Sequence, residues 1–322
     1  MKILLTGASG MCGRNILDHH CAKKYDILSP SSSELNLLEI DRIREYLLQK
    51  KPDLIIHTAG LVAGIMFNVK HSVNALVDNA YIGLNLINTA KEMRVPRLLN
   101  LASSCMYPRY GKNPLRETEI LKGELEPTNE GYGLAKIMST RLCEYICRDE
   151  FKLEYKTLIP CNLFGRHDTF AQEFSHMIPS AIRKLHHATL HKEEKVEIWG
   201  DGEARREFMS ASDLADLVFY CLENFENMPQ NLNAGLGHDY SINDYYKAAA
   251  KVVGFKGAFE YNLSKPVGMK QKLVDVSLLR EFGWEHNLSL DEGLAEAYSF
   301  YRDEWHLFKS NTKVKDVFFD EY

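Results

Sequence analysis

The feature that most restricts this chain is a glycine pattern at its very start. Gly7-Ala8-Ser9-Gly10-Met11-Cys12-Gly13 follows the apolar run Ile3-Leu4-Leu5 directly and opens a helical stretch. Three glycines at that spacing, between a strand and a helix, let backbone approach a pyrophosphate. The helix N-terminus beyond them supplies free amides and the positive end of a dipole. Gly7, Gly10 and Gly13, with Ser9 and Met11 between them, are the expected cofactor contacts; a tight turn without ligand is the bland alternative.

The rest of the first half repeats the same alternation. Tyr25–Leu28, Leu54–His57, Arg97–Leu101 and Leu153–Ile159 are expected as strands. Arg14–Lys24, Asp41–Gln49, Val73–Glu92 and Tyr132–Glu150 are expected as the helices between them. Such alternation predicts an α/β fold, a Rossmann-type doubly wound parallel sheet, with its site at the carboxyl ends of the strands. After Pro160 the rhythm changes. Val196–Trp199 reads as a strand, Ser212–Glu223 as a helix with a Ser-Asp cap, Ser241–Val253 as a capped helix, and Leu290–Phe308 as a helical tail. Leu232-Asn233-Ala234 is placed to rejoin the sheet. The expected division is a dinucleotide-binding domain over 1–163, with 207–235 returning to it, and a smaller, interleaved substrate lobe over 164–322.

Composition excludes several classes. A formal charge of −5 and a pI of about 6.2 do not suit a nucleic-acid or membrane-surface partner. No stretch reads as a signal peptide or a membrane span. Seven cysteines at irregular spacing, with no C-x-x-C, predict free thiols and a cytoplasmic setting, and no metal site is expected.

The second strand runs into Ser29-Pro30-Ser31-Ser32-Ser33, where an NAD enzyme ordinarily carries an acid. Ser31 and Ser32 offer hydroxyls to a 2′-phosphate, so NADP(H) is the preferred cofactor, although no arginine stands there to clamp it. Tyr132-Gly133-Leu134-Ala135-Lys136 is Y-x-x-x-K, which puts both side chains on one helix face. The ammonium is expected to lower the phenol and make Tyr132 a proton donor poised nearer neutrality.

These motifs and others resemble the extended short-chain dehydrogenase/reductase family and, within it, the GDP-L-fucose synthases. The matching stretches include Glu34–Leu38, Ser103–Pro108, Leu125–Glu130, Asn162–Gly165, His167-Asp168, Ser175–Pro179, Trp199–Gly202, Arg206–Phe208, Ser264–Pro266 and Lys272–Val276. The resemblance implies that Ser103 polarises a 4-keto oxygen, Tyr132 protonates it, and Lys136 holds the nicotinamide ribose, supported by Asn79. It implies that Cys105 and His176 move protons at C3 and C5 of the sugar. Read alone, Cys105 is a small packed residue and His176 the start of a helix. Asn162 and Leu163 would touch the cofactor. Ser104, Asn162, His176, Lys184, Trp199, Arg206 and Lys272 would bind the GDP-sugar.

The chain departs from the family pattern at Leu61–Gly64, Cys161, Arg166, Val267 and Met209–Ser212. The departures bear on the sugar more than on the reaction. Three functions stay open: a C4-reductase with 3,5-epimerase activity in nucleotide-sugar biosynthesis for surface glycans, a reductase alone acting on a related GDP-4-keto-heptose or other GDP-4-keto sugar without epimerisation, and a silent dinucleotide-binding regulator. Family members pair as homodimers through the Y-x-x-x-K helix, where Ile137, Met138, Leu142 and Tyr145 offer a face.

Overall fold

The computed structural model describes residues 1–62, 64–172 and 174–306 of the 322. Five strands of the first half run as β1 (Lys2–Thr6), β2 (Asp26–Leu28), β3 (Leu54–His57), β4 (Arg97–Leu101) and β5 (Glu154–Pro160). Helices α1 (Met11–Asp18), α2 (Ile40–Lys50), α3 (Ile65–Lys70), α4 (Ser72–Glu92) and α5 (Glu130–Asp149) connect them. Beyond β5 come β6 (Asn162–Phe164), α6 (Met177–His191), β7 (Lys195–Trp199), β8 (Arg205–Arg206), β9 (Phe208–Ser210) and α7 (Ala211–Glu223). They are followed by β10 (Asn231–Ala234), β11 (Tyr240–Ser241), α8 (Ile242–Val253), β12 (Ala258–Asn262), β13 (Gln271–Lys272), α9 (Ser277–Phe282) and α10 (Leu290–Asp303).

Six strands form one parallel sheet in the order β10-β5-β4-β3-β1-β2. Helices cover both faces, so its strands must be apolar on both. Ile3 and Leu5 enter the core that α1 and α7 close, while Leu4 enters the core under α2, α4 and α5. The pairs Leu54/Ile55 and Leu99/Leu98 divide in the same way, as the two-residue period of a strand requires. Leu232, Asn233 and Ala234 do rejoin the sheet, pairing with Leu158, Ile159 and Pro160. A third core joins α6, α8 and α10 to Val196 and Ile198 of β7 and to Phe164, Phe170 and Phe208.

The chain leaves β1 toward β2 and returns to place β3 on the other side of β1. Successive connections therefore diverge at the carboxyl ends of β1 and β3, where Thr6 and His57 stand side by side. That divergence opens the crevice expected of such sheets.

Three local expectations need correction. The first helix stops at Asp18 because His19 is extended; its ring accepts from the Cys21 amide and starts a separate 3-10 turn over His20–Lys24. Ser210, not Ser212, caps α7, since its hydroxyl accepts from the Ser212 amide; Asp213 is buried and receives the Asn287 and Leu288 amides. The last helix ends at Asp303, with Glu304 as its cap, and residues 307–308 of the expected extension lie outside the described residues, as does Ala63. Among the described residues no helix is long and apolar enough to cross a membrane.

Candidate active site

The three glycines do different work. Gly7 has φ +73, and a Cβ on it would come within 2.6 Å of the Ala59 amide. On Gly13 a Cβ would lie 2.3 Å from the Gly7 carbonyl. Both are demanded by the packing of β1, β3 and α1. Gly10 is different: its Cβ would meet only the Gly7 carbonyl, at 3.4 Å. Packing leaves Gly10 free, and its bare backbone faces outward beside a helix start with no side-chain cap and no acid in its first turn. Unsatisfied amides and an open approach fit a dinucleotide pyrophosphate. Ser9 is exposed there and its carbonyl receives Arg14; Met11 is partly buried.

Behind the loop, burial pushes the Cys12 thiol up to about 12, with Asp168 adding to the effect and Lys136 opposing it. Asp168 is buried at 4% exposure, and among the described residues its Oδ2 has no hydrogen-bond partner. Burial holds its carboxyl up at about 7 against the Thr169 amide.

At the end of β2 the hydroxyls are not bare. Glu34 accepts from the Ser31 amide and the Ser31 hydroxyl, each at 2.8 Å, and Ser31 also contacts the Ser33 hydroxyl. The Ser31 amide and hydroxyl hold the Glu34 carboxyl below its usual range. A carboxylate thus does stand beside Ser31, contrary to the sequence reading; an S-x-x-E spacing folds it back as a capping box would. Ser32 is exposed.

Tyr132 and Lys136 are both buried on α5, at 9% and 6% exposure. The Tyr132 hydroxyl lies near Ser103, whose oxygen accepts from the Cys105 amide at 3.2 Å. The Lys136 ammonium donates to the Leu101 carbonyl at 3.0 Å and lies 5.7 Å from the Tyr132 ring centre. Asn79 grips the loop after β3 through the Leu61 amide and carbonyl. A side chain on Gly60 would touch both Asn79 Oδ1 and Lys136 Nζ, so the three crowd one point.

The expected lowering of the Tyr132 phenol is not found. Burial pushes it well above the ordinary phenol range, Cys105 and Cys12 add to that, and only Ser103 opposes them. Burial instead pushes Lys136 down to about 8. Desolvation outweighs a cation whose hydrogen bond goes to the main chain. His57, neutral beneath them, is pushed to about 3 by burial and then by the Lys136 charge; its Nδ1 lies 2.8 Å from the Thr6 hydroxyl.

The 3-10 turn over Ser104–Met106 holds Cys105 partly exposed, with Ser104 buried behind it. The Asn129 amide donates to the Cys105 sulfur at 3.3 Å, and the Lys272 ammonium lies 3.8 Å from it. His176 is the N-cap residue of α6. Burial and then the Lys272 charge press its ring below the usual histidine range. Cys105 and His176 thus share one cation. The Asn162 amide donates to the Glu207 carbonyl, and Leu163 packs beside the core.

A second group of cations lies around Trp199, which is 36% exposed. Lys184 and Lys265 stand 5.8 and 5.4 Å from its ring, and its indole N–H donates to Glu197. Lys184 also donates to the Glu197 carbonyl. Cations about an exposed aromatic face suit a base and its phosphates. Arg206 pairs in register with Lys272 and donates to the carbonyls of Arg205 and Val267. Among the described residues it forms no ion pair.

Asn129 and Lys265 were not singled out from sequence, where no spacing links them to Cys105 or Trp199. Of the expected pairing face, Ile137 is buried in the core and Leu142 partly buried; Met138 and Tyr145 are exposed.

Comparison with known proteins gives a consistent picture. Residues 3–237 match the NAD dependent epimerase/dehydratase family. The chain is 54% identical to the GDP-L-colitose synthase of Yersinia pseudotuberculosis over 94% of its length and 99% of that protein. It is 42% identical to the GDP-L-fucose synthase of Azorhizobium caulinodans, covering 93% and 96%. Among solved structures, the GDP-mannoheptose C4 reductase of Campylobacter jejuni with NADP bound superposes with a TM-score of 0.84 at 29% identity, covering 94% and 98%.

Proposed function

The chain belongs to the NAD dependent epimerase/dehydratase family, and on that premise we propose that it is an NADPH-dependent C4-reductase of a GDP-4-keto sugar that also inverts carbons beside the ketone. The observation that carries the reading is the convergence of the buried Tyr132 with the partly exposed Ser103, with buried Lys136 on the same helix and Cys105 in the Ser103 turn. Bound NADPH supplies hydride to C4. Ser103 and Tyr132 grip the ketone oxygen, and Tyr132 gives it a proton. A phenol held this firmly protonated is a donor and never a resting base.

The same two hydroxyls stabilise an enolate oxygen when a proton leaves C3 or C5. That acidity disappears once the ketone is reduced, so inversion comes first. Cys105 and His176 exchange those protons. Lys184, Trp199, Arg206 and Lys265 take the GDP.

A second reading is favoured by the 54% identity to a GDP-L-colitose synthase. Colitose is a 3,6-dideoxyhexose, so a substrate of that type has no stereocentre at C3, and only C5 is inverted. The two readings separate in D2O. Each GDP-4-keto-6-deoxy sugar, with and without its 3-hydroxyl, is incubated first without NADPH and then with it. Deuterium at C3 and C5, with preferred turnover of the 3-hydroxy sugar, supports the first reading. Preferred turnover of the 3-deoxy sugar with deuterium retained at C5 supports the second. Reduction without wash-in leaves a reductase alone, and absence of NADPH oxidation with any GDP-4-keto sugar defeats the proposal.

The enzyme works in the cytoplasm as a homodimer. Val73, Val77 and Tyr81 on α4 continue with Leu134, Met138 and Tyr145 on α5 as an exposed apolar stripe at helical spacing. Sedimentation of Tyr81→Lys/Met138→Glu as a monomer supports this; an unchanged dimer refutes it.

A further inference from the structure

Lys272 is buried at 8% exposure, and among the described residues no carboxylate is hydrogen-bonded to its ammonium. Glu207, which shares the Cys161 neighbourhood with Lys272, spends its oxygens on the Leu236, Gly237 and Val274 amides. The charged and titratable groups around the ammonium are Cys105, His176 and Cys161. Arg206 lies alongside on β8. A buried ammonium without a counter-charge is costly unless an anion forms near it.

Cys105 shows the complementary arrangement. Two donors, Asn129 Nδ2 at 3.3 Å and Lys272 Nζ at 3.8 Å, converge on its sulfur. Its own turn supplies the Ser103 oxygen to the Cys105 amide, and Tyr132 is the nearby titratable group on α5. Among the described residues the buried Asn129 Oδ1 has no hydrogen-bond partner, while its Nδ2 donates to the sulfur. A sulfur ringed by donors is arranged for its anionic form, which only accepts hydrogen bonds.

We propose that Lys272, aided by Asn129, is a positioning residue for proton transfer: it stabilises the Cys105 thiolate that exists whenever the sulfur has given up, or not yet taken, the proton of the sugar carbon. The role goes beyond the diphosphate contact implied for Lys272 by family resemblance, and it rests on the proposed inversion. When the sulfur takes the proton, the C–H bond breaks, S–H forms, and the electron pair moves onto the ketone oxygen held by Ser103 and Tyr132. The reverse step returns the charge to sulfur beside Lys272. The ammonium keeps its own protons throughout. Burial, and then the same cation, disfavour a charge on His176, so the two exchange groups are not charged alike.

The test compares wild type, Lys272→Met and Lys272→Arg, with no sugar present. Carbamidomethylation of Cys105 by iodoacetamide at about pH 7 is followed by peptide mass mapping. Loss of one charge-assisted hydrogen bond to a thiolate slows labelling about tenfold in Lys272→Met, and Lys272→Arg restores most of it. Deuterium wash-in then falls by about as much in kcat, with KM for the GDP-sugar nearly unchanged. Labelling unchanged in Lys272→Met, or a defect confined to KM, overturns the proposal and leaves a plain diphosphate clamp. If Lys272→Met does not fold, Asn129→Ser removes the other donor, and unchanged labelling there is equally fatal. A wild type that never washes in deuterium yet shows the labelling difference refutes the inversion and leaves the thiolate pairing intact.

Discussion

Lys136 gives its hydrogen bond to the carbonyl of Leu101, 3.0 Å away at the carboxyl end of β4, and not to Tyr132. The sheet, rather than the phenol, fixes where the ammonium stands. Its proton is correspondingly labile, at about 8 because of burial. Reductase kcat/KM should fall as pH rises through about 8, and Lys136→Met should lack that limb. Stability runs the other way. Between about 8 and the unfolded value near ~10.4 the folded chain has released a proton that the unfolded chain keeps, so stability rises with pH. Lys136→Met should melt no lower than wild type at neutral pH.

Tyr132→Phe removes the donor and leaves the ring. NADPH oxidation should drop by about 10²–10⁴-fold, the usual worth of a general acid, while the melting temperature changes little. A rate within tenfold of wild type would reassign the proton to Ser103.

The glycines divide into two classes that substitution separates. Gly13→Ala drives a Cβ to 2.3 Å from a main-chain oxygen, which must move, and should cost about 1–3 kcal/mol or more in urea melts. Gly10→Ala meets nothing closer than 3.4 Å and should unfold like wild type. It should nonetheless weaken NADPH binding about tenfold in fluorescence titration, because its methyl occupies the approach of the pyrophosphate. Equal loss of stability in both variants would contradict this division.

Asp168 carries its proton to about pH 7 when folded and to about 3.9 when unfolded. Across that window the folded chain holds a proton the unfolded chain has lost. Its contribution is therefore full at acid pH and disappears as pH rises to 7, a change on the order of a few kcal/mol. Asp168→Asn should raise the melting temperature at pH 8 more than at pH 5. An equal effect at both would mean the carboxyl is ionised.

Glu34 occupies the amide and hydroxyl of Ser31 that a 2′-phosphate would use. Glu34→Gln should lower KM for NADPH several-fold and leave KM for NADH nearly unchanged, because only the phosphate is repelled. Initial rates with the two cofactors check it, and parallel changes would place the phosphate elsewhere.

What could be read in advance was whatever lies close along the chain. Gly7 to Gly13 and Tyr132 to Lys136 are local patterns, and local geometry decides where they point. The strands announced themselves because helices on both faces favour apolar residues at successive positions, as in Leu54-Ile55-Ile56. Lys272 and Cys105 are 167 residues apart, and no periodicity joins them. Glu34 on Ser31 is legible in its three-residue spacing, which the run of serines masks. The Tyr132 phenol went the wrong way because sequence shows a neighbouring ammonium but not the depth at which both lie. The first helix was overrun because only the backbone turn at His19, invisible to hydrophobic spacing, ends it.

β10 lies at the outer edge of the sheet against β5, and Asn15 on α1 donates to the Arg166 carbonyl across 151 residues. During synthesis, then, the first 160 residues leave the ribosome with an open strand edge and an uncovered helix. The helix behind the cofactor loop is covered only after α7 emerges, and the β5 edge is paired only after β10 follows it, some 230 residues in. Early release or stalling before that point exposes a parallel edge to aggregation, so the end of the message governs when the beginning becomes safe.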